Sequence, residues 1–467
     1  MTSTLIKGGL VVTDAEETQA DLLVQDGRIA ALAARNSTAA AAFTADRTLD
    51  ATGKYVIIPG GVDAHTHMDF PFGGTFSSDD FETGTRAAAW GGTTTIVDFA
   101  VQTKGQALRE GLDRWHAKAD GRCAVDYGFH MILSDVDDGT LREMDTLVEE
   151  GVTSFKMFMA YPGVFYSDDG QILRAMQRTA DNGGLTMMHA ENGIAIDVLV
   201  EQALAAGRTD PRHHGEVRKA LLEAEATHRA IQLARVAGAP LYVVHVSAAE
   251  AVEQLALARA KDLPVFGETC PQYLYLSTDN LAEPDFGGAK YVCSTPLRPR
   301  EHQAALWRGL RTNDLQVVST DHCPFCFTGQ KELGRGDFSR IPNGMPGVEH
   351  RMDLLHQAVV DGHLTRRRWI DLACATPARM FGLHPRKGTL APGADADVVI
   401  YDPHAEQTLS AATHHMNVDY SAYEGKRLTG RVETVLSRGE PVLEGGRYTG
   451  RAGHGRYVPR GTCQLLG

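Results

Sequence analysis

Apolar positions in this chain follow two periods, and the places where the period changes divide it into parts. Near both ends, apolar side chains come in short runs broken by two-residue turn signals. Residues 4–12 predict one strand, and 20–30 predict a hairpin with Asp26-Gly27 as its turn. The far end repeats this grammar: 396–402 and 432–436 read as strands, with Arg438-Gly439 and Gly445-Gly446 as tight turns. Neither end has enough strands for a stable sandwich alone. One β domain built from both ends, with the middle of the chain inserted, is the economical solution.

In the middle the pattern alternates between short apolar runs and helical periodicity, which argues for parallel βα units. The predicted strands are 56–59, 93–99, 125–132, 154–158, 185–189, 241–246, 264–268 and 316–320. Helical stretches such as 105–118, 141–150, 171–181 and 216–237 lie between them. Eight strands with intervening helices fit a (β/α)8 TIM barrel, an α/β fold, with a smaller β-sandwich domain formed from the N- and C-terminal segments. The expected division is 1–56 and 387–445 for the sandwich, 57–386 for the barrel, and 446–467 for a tail available for oligomer contact. A doubly wound open sheet would want a glycine-rich phosphate turn opening a helix after its first strand. Pro59-Gly60-Gly61 leads instead to Val62-Asp63-Ala64-His65-Thr66-His67.

Composition narrows the function. A chain of 467 residues that is 43% hydrophobic buries a large core, and its formal charge of −13 disfavours nucleic acid and anionic membrane surfaces as partners. The one compact basic run, Arg366-Arg367-Arg368, reads as a solvated helix start. No apolar run is long enough to span a bilayer, and the N-terminus lacks a signal-peptide core. The seven cysteines are odd in number and scattered, which suggests reduced thiols in a cytoplasm. Cys323 and Cys326 have Cys-x-x-Cys spacing without a second such pair, so they read as packing thiols beside a site.

In a barrel, chemistry collects at the C-terminal ends of the strands. Alternation puts His65 and His67 on one face, with Thr66 opposite. Lys156 sits in the fourth strand. His189 ends the fifth, His245 the sixth and Asp321 the eighth. A single strand-end histidine is usually a core residue with a satisfied hydrogen bond. Six such residues at corresponding positions point to a metal site. Lys156 is the sharpest anomaly, because Phe155, Met157 and Phe158 surround it with apolar groups. An ammonium there carries a large desolvation cost, so it is paired, deprotonated or modified. Carbamylation would turn it into a two-oxygen anion able to bridge two cations. Pairing with Asp321 is the alternative.

These residues resemble the cyclic amidohydrolases, most closely the dihydropyrimidinase/hydantoinase branch. The likeness rests on His65-Thr-His67, Lys156, His189 in Met-His-Ala-Glu-Asn, His245 in Val-His-Val-Ser and Asp321 in Ser-Thr-Asp-His. Asp63-Ala-His-Thr-His-Met-Asp-Phe-Pro-Phe-Gly-Gly-Thr, Phe158-Met-Ala-Tyr161, Ile341-Pro-Asn-Gly-Met-Pro-Gly-Val-Glu and Asn417-Val-Asp-Tyr-Ser-Ala-Tyr-Glu-Gly extend it over almost the whole chain.

The resemblance implies hydrolysis of the cyclic amide of dihydropyrimidines or 5-substituted hydantoins to N-carbamoyl amino acids, a step of pyrimidine degradation. It implies two zinc ions bridged by carboxylated Lys156 and a hydroxide, in a cytoplasmic homotetramer or homodimer. His65, His67, Lys156 and Asp321 would hold one ion, and Lys156, His189 and His245 the other. Asp321 would carry the proton, Tyr161 would stabilise the oxyanion, and Ser294 and Asn343 would bind the ring. Phe72, Phe158 and Phe165 are the expected pocket wall. Two loops depart from the family pattern, at Pro162-Gly163 after the tyrosine and at Ser294-Thr295-Pro296, and both bear on substrate preference. Allantoinase, or another cyclic ureide hydrolase, is the alternative. Dihydroorotase would want an arginine in Met68-Asp-Phe-Pro-Phe72, which has none. A non-catalytic relative such as a collapsin response mediator protein would lack part of the ligand set, and all six positions are filled here.

Overall fold

The computed structural model describes residues 3–466. Eight parallel strands form the central sheet in chain order: β1 (Gly61–Thr66), β2 (Thr93–Val101), β3 (Asp126–Ile132), β4 (Ser154–Phe158), β5 (Leu185–His189), β6 (Leu241–Val243), β7 (Val265–Thr269) and β8 (Val317–Val318). The ring closes where Thr66 bridges His322 and the His67 N–H donates to the His322 carbonyl at 2.8 Å. Every residue of β2, β3, β4 and β5 is buried, as expected of parallel strands covered on both faces.

The surrounding helices present one apolar stripe each. Helix Leu108–Ala119 buries Leu108, Leu112, Trp115 and Ala119, at spacings of three to four residues. Helix Asp169–Asn182 starts from an Asp168 capping box and stops at Gly183, which takes φ 77°.

A second sheet of nine strands draws on both ends of the chain, giving the sandwich domain. Its strand Ser3–Val12 changes partners along its length. The first half runs parallel to Arg47–Asp50 and the second half parallel to Val56–Pro59. Three two-residue turns make its hairpins, at Asp26-Gly27, Arg438-Gly439 and Gly445-Gly446, all with positive φ at both positions.

The structure differs from the sequence reading in several places. Val56–Pro59 is not a barrel strand: it pairs antiparallel with Val398–Thr408 in the terminal sheet, and the barrel begins at Gly61. Gly60 is the crossing point between the sheets, where a Cβ would lie 2.1 Å from Thr94 Oγ1. The helix expected over 216–237 is two helices, Arg212–Val217 and Ala220–Ala237, broken at Arg218. Strand β8 is short because the Thr320 N–H and hydroxyl turn to the Asp63 carboxylate, at 3.1 and 2.6 Å. The tail lies against its own barrel: the Val458 N–H donates to the Tyr127 carbonyl at 2.7 Å and the Arg460 N–H to that of Gly151 at 3.0 Å.

Candidate metal centre

The six polar strand-end residues converge at one end of the barrel. His65 Nε2 and His67 Nε2 lie 3.2 and 3.3 Å from Asp321 Oδ1, and these three donor atoms sit within 4.8 Å of one another. Across the mouth, His189 Nδ1 is 2.9 Å from His245 Nε2. Lys156 stands between the groups, its Nζ 2.8 Å from His65 Nε2 and 4.3 Å from the centre of the Phe99 ring.

The orientation of each imidazole is set from behind. The Glu268 carboxylate accepts from His65 Nδ1–H, and Glu191 accepts from His189 Nε2–H at 2.8 Å. Those bonds leave His65 Nε2 and His189 Nδ1 as lone-pair nitrogens aimed at the mouth, the usual device for aligning a metal-binding histidine. Burial, reinforced by the neighbouring Lys156 charge, pushes His65 and His67 well below the ordinary imidazole range. Burial also lowers His245 and His189. Neutral imidazoles are the form that binds a cation. His67 Nδ1 and His245 Nδ1 are buried without a hydrogen-bond partner. The donor set therefore fits a divalent metal: neutral imidazoles, a carboxylate and a lysine on one cavity.

Lys156 makes no ion pair among the described residues, so the alternative pairing with Asp321 is not what the structure contains. Burial lowers its amine below the ordinary lysine value, against the opposing pull of Asp321 and Glu268.

Backbone strain marks the same rim. Tyr161, His245 and Asp321 all take positive φ, at 63°, 39° and 52°. Outside turns such conformations are rare for residues with a Cβ and cluster at functional sites.

A cavity opens above this cluster. His67, Lys156, His189, His245 and Asp321 form its base, with Ser294 and Asn343 on one side. Asn343 Nδ2 donates to Ser294 Oγ at 3.0 Å. Phe70, Phe72, Phe158 and Phe165 make an aromatic wall in which Phe158 and Phe165 stack at 5.0 Å. Burial pushes the Tyr161 phenol up to about 12, so it keeps its proton at neutral pH. Cys323 lines the cavity as a free thiol, and all seven cysteines are unpaired. His322 faces elsewhere: its Nε2 bonds Asp79 at 3.0 Å and its Nδ1 accepts from the Gly347 N–H.

Several contributors escape a reading of the sequence. Glu268 is the penultimate residue of β7 and could have been found by the same strand-end logic as the histidines. Glu191 lies inside Met-His-Ala-Glu-Asn. Burial pushes its carboxyl up, but Arg218 at 2.6 Å and His189 outweigh that and hold it down at about 2. The role of Arg218 carries no local signal.

A barrel with histidines, a buried lysine and an aspartate at its C-terminal strand ends defines a metal-dependent hydrolase. The chain belongs to the amidohydrolase family, whose model matches residues 56–442. It is 80% identical over 99% of both chains to a D-hydantoinase from Streptomyces coelicolor. It is 51% identical to a D-hydantoinase from Geobacillus stearothermophilus, over 98% of this chain and 96% of that one. The crystal structure of a dihydropyrimidinase from Brevibacillus agri superposes with a TM-score of 0.96 at 48% identity, covering 99% of each chain.

Proposed function

We propose that this enzyme opens the cyclic amide of 5-substituted hydantoins and dihydropyrimidines, giving N-carbamoyl amino acids, at a binuclear zinc centre. The observation that carries the reading is the shared cavity: the polar cluster and an aromatic wall sized for a ring substituent line one space. The identity to D-hydantoinases over nearly the whole chain supports the substrate class.

His65, His67, Lys156 and Asp321 would hold one ion, and Lys156, His189 and His245 the other. Two zinc ions bound there supply hydroxide at neutral pH and polarise the scissile carbonyl. Lys156, in this reading, is carboxylated. The support is its burial without a carboxylate partner and its lowered basicity, since the neutral amine is the form that takes up carbon dioxide. Asp321 accepts the proton of the attacking oxygen and returns it to the leaving ring nitrogen. Tyr161 donates its phenolic hydrogen to the developing oxyanion. Ser294 and Asn343 hold the rest of the ring through backbone groups, and the phenylalanine wall excludes water from the reacting bond.

We read the enzyme as a cytoplasmic homotetramer or homodimer. Exposed Ile194, Val198, Leu221, Val236 and Leu257 are apolar surface that subunit contacts would cover. No helix among the described residues is long and apolar enough to cross a membrane.

Turnover of dihydrouracil, a 5-substituted hydantoin and allantoin tests the substrate. The hydantoin and dihydrouracil are expected to exceed allantoin in kcat/KM by about tenfold or more, a difference of about 1.4 kcal/mol in transition-state binding. A preference for allantoin would overturn the assignment.

A further inference from the structure

Lys331 is fully buried, and its hydrogen-bond partners are backbone carbonyls. It opens the short 3-10 turn Lys331–Gly334, and its Nζ reaches three backbone carbonyls. The distances are 2.9 Å to Val292, 2.7 Å to Pro342 and 2.8 Å to Gly344. An ammonium has three N–H donors, so all three are used. No ion pair of Lys331 occurs among the described residues.

The three carbonyls have a shared address. Val292 precedes Ser294 by two residues, and Pro342 and Gly344 flank Asn343. The two loops also meet directly, through Gly344 N–H to the Val292 carbonyl at 3.0 Å and Asn343 Nδ2 to Ser294 Oγ. Gly344 takes φ 155°, and a Cβ there would lie 2.2 Å from the Cys323 carbonyl oxygen, so its loop has little freedom to adjust.

We propose that Lys331 is a positioning residue for substrate recognition, a buried cationic clamp that fixes the Ser294 and Asn343 loops against one another on one side of the cavity. The proposal rests on the reading of those two residues as ring-binding. A hydrophobic side chain at 331 would leave the Pro342 and Gly344 carbonyls without a donor, while Val292 keeps only the Gly344 N–H, and each buried unpaired carbonyl is costly. The relief available is for the loops to separate, which moves the ring-binding backbone groups while leaving the metal ligands untouched. Burial pushes the Lys331 amine down to about 7, whereas hydrogen bonds to three carbonyls favour a charged form. A buried charge without a counter-ion is an expensive way to hold two loops, which argues for a positional role beyond filling space.

The test compares metal-loaded Lys331→Met with wild type on a 5-substituted hydantoin. KM is expected to rise about tenfold or more with kcat within about threefold and metal content unchanged, the signature of lost binding geometry. Lys331→Gln, which keeps two N–H donors, is expected to fall between the two. If Lys331→Met does not fold, the same split in Lys331→Gln decides. Unchanged KM in the folded variant, or loss of kcat alone, overturns the clamp. A crystal structure of the metal-loaded wild-type enzyme with a 5-substituted hydantoin separates this from the underlying reading. If the Ser294 and Asn343 backbone groups do not contact the ring, the ring-binding assignment is wrong; if they do while Lys331→Met leaves KM unchanged, the clamp alone is wrong.

Discussion

Lys156 near the barrel mouth and Lys387 at its floor are both about 1% exposed, and their company is opposite. Lys387 Nζ lies 2.6 Å from Asp126, 2.7 Å from Asp397 and 3.0 Å from Asp395, and Arg438 takes the other oxygen of Asp126. Lys156 has an imidazole nitrogen and aromatic faces beside it and, among the described residues, no carboxylate within ion-pair distance. The floor is a closed ionic network that joins the start of β3 to the strand entering from the C-terminal segment. At the mouth, donor atoms crowd together, two ring nitrogens have no partner, and three residues hold positive φ. Buried polar groups are normally satisfied, so a cluster that is not is built for something else.

The comparison is broken hardest at Lys156. Lys156→Ala is expected to remove most of the bound metal and to lower kcat/KM by on the order of 10³-fold or more, as for one member of a unit that acts together. The fold is expected to survive, because the lost side chain had no ionic partner to strand. A short-chain carboxylic acid is expected to restore part of the activity by standing in for the carbamate. Elemental analysis showing a full metal complement in the variant would remove the bridging role.

Two changes at the rim sharpen the contrast. Asp321→Asn is expected to lose more activity than Tyr161→Phe, because an amide oxygen can still approach a cation but cannot carry a proton. Tyr161→Phe is expected to keep its metal and lose about 10²–10³-fold in kcat, the usual cost of one oxyanion donor. Near-normal turnover in metal-replete Asp321→Asn would move the proton shuttle to another residue. A rise in KM alone for Tyr161→Phe would make the tyrosine a binding group.

What could be read from the chain follows from how each feature is encoded. His65, His67, Lys156, His189, His245 and Asp321 sit at strand ends, and strand ends follow from local periodicity. The terminal hairpins were equally legible, because their turns are spelled by adjacent residues. Gly60 was not, since its close approach is to Thr94 in another strand. The partners behind the site were hidden for the same reason. Arg218 interrupts what reads as one continuous helix, and its reason for doing so is Glu191, 27 residues earlier. Lys331 sits in Gly329-Gln-Lys-Glu, a stretch that looks like solvated surface, and only the fold brings its three carbonyls together.

The floor supplies the smallest effect on catalysis and the clearest on stability. Lys387→Met leaves three buried carboxylates with their principal cation removed, and breaking a buried ionic group from one side costs about 3–5 kcal/mol. Activity and metal content of the folded fraction are expected to stay near wild type, since the floor holds none of the mouth's groups. The pH dependence gives the sharper test. Burial pushes Asp395 up, but Lys387 and Arg386 outweigh it and hold the carboxyl below its ordinary value. An acid depressed in the folded state adds stability above its unfolded value near 3.8, and that stability is lost as pH falls through the folded value. Without Lys387 the largest charge opposing burial at Asp395 is gone, so burial raises that carboxyl relative to wild type and protonation on acidification relieves the folded variant. The stability gap between wild type and Lys387→Met should therefore be widest at pH 7 and narrow toward about pH 4.5, measured by urea unfolding at each pH. A gap that stays constant over that range would mean the cluster's charges are not what Lys387 holds together.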